Sequence, residues 1–242
     1  MSVLKGEGKV PILFGSTTLV VGSRTHRGYL ARPDLTGEWP TVVLVGSAWG
    51  VTPNTKDIAR RIARQGFAVV APDLYHGGAP ERAAPAEAAA AAFARIPPDV
   101  AGRDIGDIVR FVQNPSGFWS SAEYGFGILG MGTGGGAAAQ AAVARDAAAL
   151  AFVTPALSGL AETLGGYTGG VLGLFGRDAD GFDTDVAGRL RGELPQAELV
   201  IYSGVGSDFM DDYLPEYDYD VATDGVERLA DFFEKHLPAP PA

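Results

Sequence analysis

Apolar residues fall into short runs separated by longer segments of helical periodicity. The runs at 41–45, 67–71 and 150–154 have Gly or Pro on at least one side. Such runs are typical of strands buried on both faces of a parallel sheet. Because strands alternate with helices, the connections are expected to be right-handed crossovers. The pattern therefore predicts an α/β fold, with a mostly parallel central sheet and helices on both faces.

The remaining elements follow from the same periodicities. Residues 53–65 form the clearest predicted helix, because Thr52 suits the N-cap and Ile58 and Ile62 lie on one face. Further strands are predicted at 10–14, 17–21, 28–32, 170–175 and 197–202, and further helices at 86–95, 99–113, 137–149, 183–191 and 220–237. No repeat and no linker is evident, so we expect a single domain over 1–242 whose tail, 238–242, is frayed.

Two segments can be interpreted beyond their assignment to helix, strand or loop. The first three strands indicate an antiparallel opening to the sheet, and His26 lies in the turn before the third of them. We interpret His26 as a solvated turn residue. Residues 76–98 are rich in Ala, Gly and Pro. They form either a cap over the carboxyl ends of the strands or a surface excursion, and the sequence favours neither.

The stretch 125–136 is rich in glycine and separates a buried strand around Ile128 from an alanine-rich helix. A strained turn between a strand and a helix, with a nucleophile between two glycines, is the nucleophile elbow of α/β enzymes. Here the sequence of that turn is Gly130-Met-Gly-Thr-Gly134, so Gly132 occupies the central position. The pattern predicts the turn without its nucleophile.

Composition restricts the classes of function. The chain of 242 residues has a net charge of −10 and no cluster of basic residues, which argues against nucleic acid and anionic membranes as partners. No apolar run approaches the roughly 20 residues of a membrane span. We therefore expect a cytoplasmic protein, as a monomer or homodimer.

The chain contains no cysteine, which excludes disulfides, thiolate metal sites and a thiol nucleophile. The three histidines, His26, His76 and His236, do not have the spacing of a metal site. We expect neither a metal ion nor a cofactor.

Two motifs carry a resemblance to a known family. Ser47-Ala-Trp-Gly50 and Ala71-Pro-Asp-Leu-Tyr75, with their spacing to the elbow, resemble the dienelactone hydrolase family of α/β-hydrolases. The likeness extends over most of the chain from about residue 10. It implies an α/β-hydrolase fold and, for typical members, a Cys-His-Asp triad that acts on lactones or esters of small acids.

The resemblance places each triad role on a residue that cannot perform it. The nucleophile position is Gly132, the histidine position is Ser207 and the acid position is Ala179, which Asp178 and Asp180 flank. Gly132 has no side chain, and a serine in place of the histidine is not a base near neutral pH. We therefore expect that the family's hydrolytic mechanism is absent.

A binding pocket is still expected. The resemblance implies an oxyanion hole made by the backbone N–H groups of Ala48 and Thr133. It also places Ser47 at a position where the family carries an acidic residue. The remaining predicted pocket residues, with those named above, are Trp49, Asp73, Tyr75, His76 and Asp208.

Two classes of function remain open. One is an enzyme for a small carbonyl or carboxylate compound, in which Asp208 or His76 moves a proton without a covalent nucleophile. Proton transfer, isomerisation, dehydration and cyclisation are reactions of this kind. The other is a non-catalytic homologue that binds a ligand or a partner protein. A residual ester or lactone hydrolase with a relocated nucleophile is a further alternative.

Overall fold

The structure is a computed structural model that describes residues 8–113, 119–120, 122–155, 159–180 and 182–237. The predicted frayed tail at 238–242 lies outside the described residues. In the described part of the chain, no helix has both the length and the apolar composition that a membrane span requires.

One sheet of eight strands forms the centre of the molecule, in the order β1-β2-β4-β3-β5-β6-β7-β8. β2 pairs antiparallel with both β1 and β4, and the other neighbours are parallel. This is the predicted α/β architecture. The strands are β1 Ile12–Val21, β2 Arg24–Pro33, β3 Thr41–Val45, β4 Ala68–Pro72, β5 Phe126–Met131, β6 Ala149–Val153, β7 Gly170–Gly176 and β8 Ala197–Tyr202.

Helices cover both faces of the sheet. Those of the described residues are α1 Pro53–Arg64, α2 Ala86–Phe93, α3 Pro98–Gln113, α4 Gly135–Arg145, α5 Leu160–Thr163, α6 Thr184–Glu193 and α7 Tyr219–His236, with 3₁₀ turns at Ala122–Tyr124 and Gly132–Gly134. Ile58 of α1 and Phe233 of α7 belong to one buried apolar cluster, and Ile105 of α3 and Ala138 of α4 belong to the other. The hydroxyl of Thr52 accepts a hydrogen bond from the Thr55 N–H at 3.1 Å, as expected of the N-cap of α1.

The opening of the sheet differs from the prediction. It has two long strands rather than three short ones, because the backbone of Gly15 continues within β1. The prediction for His26 was also wrong: the residue lies within β2, and its side chain is 5% exposed. The turn was predicted because Gly22 separates the second strand candidate from the third, but β2 already begins at Arg24.

The buried face of His26 meets two carboxylates of α3. Its Nε2 lies 3.0 Å from an oxygen of Asp107, and its Nδ1 lies 4.0 Å from Asp104. Arg24 donates two hydrogen bonds to Asp107, and Arg110 donates a third. The pKa of Asp107 is lowered, first by the hydrogen bond from Arg24, against the opposing effect of burial. A buried charge requires such partners, so this cluster joins β2 to α3.

Candidate functional site

A cavity of about 470 Å³ lies at the carboxyl ends of the parallel strands. Ligands in open α/β sheets bind at this edge. Loops that follow β3, β5, β6, β7 and β8 supply most of its wall, and α2 closes over it. The lining residues are Ser47, Ala48, Trp49, Ala86, Ala90, Gly132, Thr133, Thr154, Pro155, Phe175, Ala179, Asp180, Phe182, Ser207 and Asp208.

The elbow between β5 and α4 has the predicted form. Gly132 directly follows β5 with a φ of +49°, in the left-handed region that glycine adopts without cost. Gly134 is required for another reason, because a Cβ there would lie 2.2 Å from the carbonyl oxygen of Gly46. Gly135 likewise packs against Pro155, whereas an added Cβ on Gly136 would meet nothing within 4 Å. Close packing therefore explains why glycine is required at positions 134 and 135, but it does not explain the glycines at 132 and 136.

The two predicted oxyanion donors both line the cavity. Among the described residues, the N–H groups of Ala48 and Thr133 have no backbone acceptor in the surrounding turns. Thr133 lies in the turn that leads into α4, where the first N–H groups of a helix lack partners within it. The positive end of the helix dipole lies at the same place. The site is therefore suited to an oxygen that carries negative charge.

Asp208 is the acidic group of most chemical interest in the cavity wall. Its pKa is raised, chiefly because burial disfavours the charged form, and further because of Asp211 and Glu216 nearby. Arg82 opposes these effects. Within the described part of the chain, the carboxyl group of Asp208 has no hydrogen-bond partner. A carboxyl group in such surroundings exchanges a proton more readily near neutral pH than an exposed aspartate does.

The predicted alternatives for the family acid are separated by the fold. Both residues are exposed, but Asp180 lines the cavity, together with Ala179 and Ser207, whereas Asp178 does not. Of the two flanking carboxylates, Asp180 is therefore the one available to a ligand.

His76 and Tyr75 are not among the described residues that line the cavity. His76 has a φ of +53°, and its Nε2 lies 2.8 Å from a carboxylate oxygen of Asp104 on α3. Tyr75 donates a hydrogen bond of 2.6 Å from its hydroxyl to the carbonyl oxygen of Ala48. Burial raises the pKa of Tyr75. Tyr75 thus positions Ala48 in the cavity wall, and of the two predicted proton-transfer groups, Asp208 lines the cavity whereas His76 does not.

Thr154 is a cavity residue that the sequence did not indicate. It follows β6 with a φ of +45°, a conformation that β-branched residues rarely adopt. Its hydroxyl oxygen is buried without a hydrogen-bond partner within the described ranges. A residue before proline is expected to be extended, so the local sequence Thr154-Pro155 gave no sign of this strain. Strain and an unpaired hydroxyl at one position are typical of a functional site.

The segment 76–98 forms a cap, one of the two open alternatives. Ala86 and Ala90 of α2 line the cavity. The loop before α2 is attached to the wall through Trp49, whose indole N–H donates to the carbonyl oxygen of Ala84 at 3.4 Å. The guanidinium of Arg82 stacks 4.8 Å from the centre of the Trp49 ring and pairs with the buried carboxylate of Asp211.

Within the residues that the structure describes, no group of three or more His, Asp or Glu side chains could hold a metal ion. What the cavity offers is backbone N–H groups, a protonatable carboxyl group and a hydroxyl, around a position that has no side chain.

The family model described as the dienelactone hydrolase family matches residues 26–237. The chain belongs to the dienelactone hydrolase family. The resemblance drawn from the motifs around Ser47 and Tyr75 is thereby confirmed, and the mostly parallel sheet with helices on both faces is an α/β-hydrolase fold.

Relatives agree with this membership. A Yersinia pestis protein, whose name assigns it by inference to the carboxymethylenebutenolidases, is 28% identical over 252 residues, 92% of this chain and 88% of the relative. Two solved structures show the same fold. One, from Klebsiella pneumoniae and assigned by inference to the dienelactone hydrolases, has a TM-score of 0.81 at 23% identity, covering 93% of this chain and 99% of its own. The other, a dienelactone hydrolase-like promiscuous phosphotriesterase from metagenomic libraries, has a TM-score of 0.77 at 17% identity, with the same coverage.

Proposed function

We propose that this dienelactone hydrolase homologue binds a small carbonyl or carboxylate compound in the cavity. It catalyses a proton transfer to or from that compound without forming a covalent intermediate. The N–H groups of Ala48 and Thr133 stabilise the negative oxygen of an enolate, and Asp208 exchanges the proton. Isomerisation, dehydration and cyclisation of carbonyl compounds can each proceed through such a step, and none needs a covalent nucleophile of the protein.

The chemistry of the family triad argues for this departure. The chain contains no cysteine, so no thiol can attack an ester. If the family roles are carried over as the motifs indicate, the base position holds Ser207 and the acid position holds Ala179. A triad needs a nucleophile, a base and a group that orients the base, and none of the three positions holds one.

The observation that carries the proposal is the carboxyl group of Asp208 in the wall of the cavity. It is partly buried, its pKa is raised, and it has no hydrogen-bond partner among the described residues. Burying an acid in this way costs free energy. A structural role is expected to supply a partner for such a group, whereas a role in proton transfer leaves it free for the substrate.

Hydrogen–deuterium exchange tests the proposal directly. In D₂O, the carbon-bound protons next to the carbonyl of 2-oxobutyrate are expected to exchange faster with the protein than without it, as measured by ¹H NMR. Asp208→Asn is expected to reduce that rate by about 10²-fold or more. Asp212→Asn is the matched control, because Asp212 is exposed and does not line the cavity. Equal rates for the two variants would contradict the role of Asp208.

Binding is measured separately from turnover. Backbone ¹⁵N shifts at Gly132, Thr133 and Gly134 are expected to respond to millimolar acetate, 2-oxobutyrate or γ-butyrolactone. A response without any exchange would indicate a binding protein rather than an enzyme, and no response would exclude the ligand class. Turnover of an aryl ester that Ser47→Ala abolishes would instead establish a hydrolase with a relocated nucleophile.

A further inference from the structure

A second cavity, of about 380 Å³, lies beside the first, between the β1–β2 hairpin, the first turn of α1 and the loop after β4. We call it the hairpin groove. Its wall carries hydroxyl groups from β1 together with Arg27 of β2 and Lys56 of α1. Trp49 lines both cavities, so the two are neighbours across one indole ring.

The charges in the hairpin groove do not cancel. In the described part of the chain, neither Arg27 nor Lys56 takes part in a salt bridge, although the whole chain carries a net charge of −10. Among the described lining residues, Asp73 is the acidic one. Its two carboxylate oxygens accept hydrogen bonds from the N–H groups of Tyr75 at 3.0 Å and Gly77 at 2.7 Å. Asp73 therefore shapes its own loop, and the two cations keep their donors for a ligand.

Strand register brings hydroxyl and guanidinium groups together. Thr18 lies directly opposite Arg27 across the β1–β2 pair, and Ser16 lies opposite Tyr29. Residues that face each other across a pair, and those two positions along, share one face of the sheet. Lys56 reaches the same face from α1, because its Nζ lies 5.8 Å from the centre of the Tyr29 ring.

Gly28 lines the groove and is required by the close approach of β4. A Cβ at this position would lie 2.4 Å from the carbonyl oxygen of Ala71 on β4, so a larger residue would disturb the pairing of β2 with β4. The groove has a volume of about 380 Å³, is lined with hydrogen-bond donors and carries two cationic side chains against one carboxylate.

We propose that the hairpin groove binds an anion of carboxylate or phosphate type, held by Arg27, Lys56 and the hydroxyl of Thr18. Guanidinium and ammonium groups form charge-assisted hydrogen bonds to such oxygens, and a hydroxyl adds a neutral one. Two sources share this chemistry. One is a free anion, and the other is the anionic end of a ligand whose carbonyl end occupies the first cavity.

Titration with inorganic phosphate, followed by ¹⁵N NMR of the intact chain, tests the site. Shifts are expected at Thr17, Thr18 and Gly28 with saturation in the millimolar range. Arg27→Gln is expected to weaken binding about tenfold, and Arg27→Gln with Lys56→Gln to abolish it. Arg189→Gln removes one charge from exposed α6 and is expected to leave binding unchanged. No shift at 50 mM phosphate, or equal weakening by the control, would overturn the proposal.

A second titration, with 2-oxoglutarate, distinguishes a free anion from the anionic end of a longer ligand. If 2-oxoglutarate shifts both Thr18 and Gly132 while phosphate shifts Thr18 alone, the groove holds the anionic end of a ligand that spans both cavities. If both probes shift Thr18 alone, the groove is a site for a free anion. Shifts at Gly132 alone would mean that the first cavity binds ligands and the hairpin groove does not, so this proposal can fail while the proposed function stands.

Discussion

A Cβ added to Gly132 would lie 3.5 Å from the Cβ of Ser47 and would meet nothing else within 4 Å, its two chain neighbours apart. The elbow therefore has space for a side chain that the sequence does not supply. The backbone also limits a substitution, because the φ of +49° disfavours residues that have a Cβ. Family elbows carry their nucleophile in such a strained turn.

That space allows the triad to be rebuilt. Gly132→Cys alone is expected to fold with a loss of about 1–2 kcal/mol in the free energy of unfolding, from strain in the left-handed region. It is expected to show only weak esterase activity, because Ser207 is not a base. The triple variant Gly132→Cys, Ser207→His, Ala179→Asp is expected to hydrolyse p-nitrophenyl acetate at least about tenfold faster than Gly132→Cys.

Matched variants show whether such a gain depends on the triad. Replacing the introduced Cys with Ala in the triple variant should remove the activity, and a folded triple variant without activity would contradict the assigned positions. Thermal unfolding checks that each protein is folded.

The buried hydroxyl of Thr154 is expected to lower the free energy of unfolding. Thr154→Val keeps the shape of the side chain and removes a buried hydroxyl that has no partner among the described residues. We expect the free energy of unfolding to rise by about 1 kcal/mol. Urea denaturation measures the change, and Thr154→Ser, which keeps the hydroxyl, is the control. A loss of stability in Thr154→Val would show that the hydroxyl is satisfied.

The pKa of Asp107 is lowered on folding, so its contribution to stability is present above the ordinary carboxyl pKa and lost as the pH falls through the lower, folded value. At pH 7, Asp107→Asn is expected to reduce the free energy of unfolding by about 3 kcal/mol, because His26 and Arg24 lose a buried partner. Below about pH 4 the wild type loses the same contribution, so the two stability curves converge. Parallel curves from pH 7 to pH 3 would contradict this account.

The pKa of Asp208 is raised on folding, so its contribution to stability changes with pH in the opposite direction to that of Asp107. Its folded state favours the protonated form, so its contribution to stability is largest at low pH and is lost as the pH rises through the folded pKa. Asp208→Asn is therefore expected to increase the free energy of unfolding at pH 7 while it reduces the rate of proton exchange. A stability loss at pH 7 would indicate a structural role instead.

Arg82 is expected to hold the pKa of Asp208 down, because it is the cation that opposes the raised value. In Arg82→Ala the carboxyl pKa of Asp208, followed by ¹³C NMR, should rise further. The fluorescence of Trp49 should also change, since the stacked guanidinium is removed. An unchanged pKa would mean that solvent screens this pair.

The sequence by itself determined the order of most elements and the elbow. Runs such as 41–45 become strands because they are apolar on both faces, and the helix at 53–65 ends at the glycine that follows it. These are local properties, which the periodicity of the chain expresses. The family could likewise be recognised, because its motifs are contiguous stretches. The absence of a thiol needed no structure.

Tertiary structure alone decided which polar groups meet. His26 looked solvated because its neighbours in sequence are polar, yet it is buried against Asp107, 81 positions away. His76 was expected at the cavity and instead pairs with Asp104. The left-handed Thr154, the pairing of Arg82 with Asp211, and the groove around Arg27 depend on contacts between distant segments. Burial and pairing over such distances are properties of the folded chain, and a pattern of neighbouring residues does not encode them.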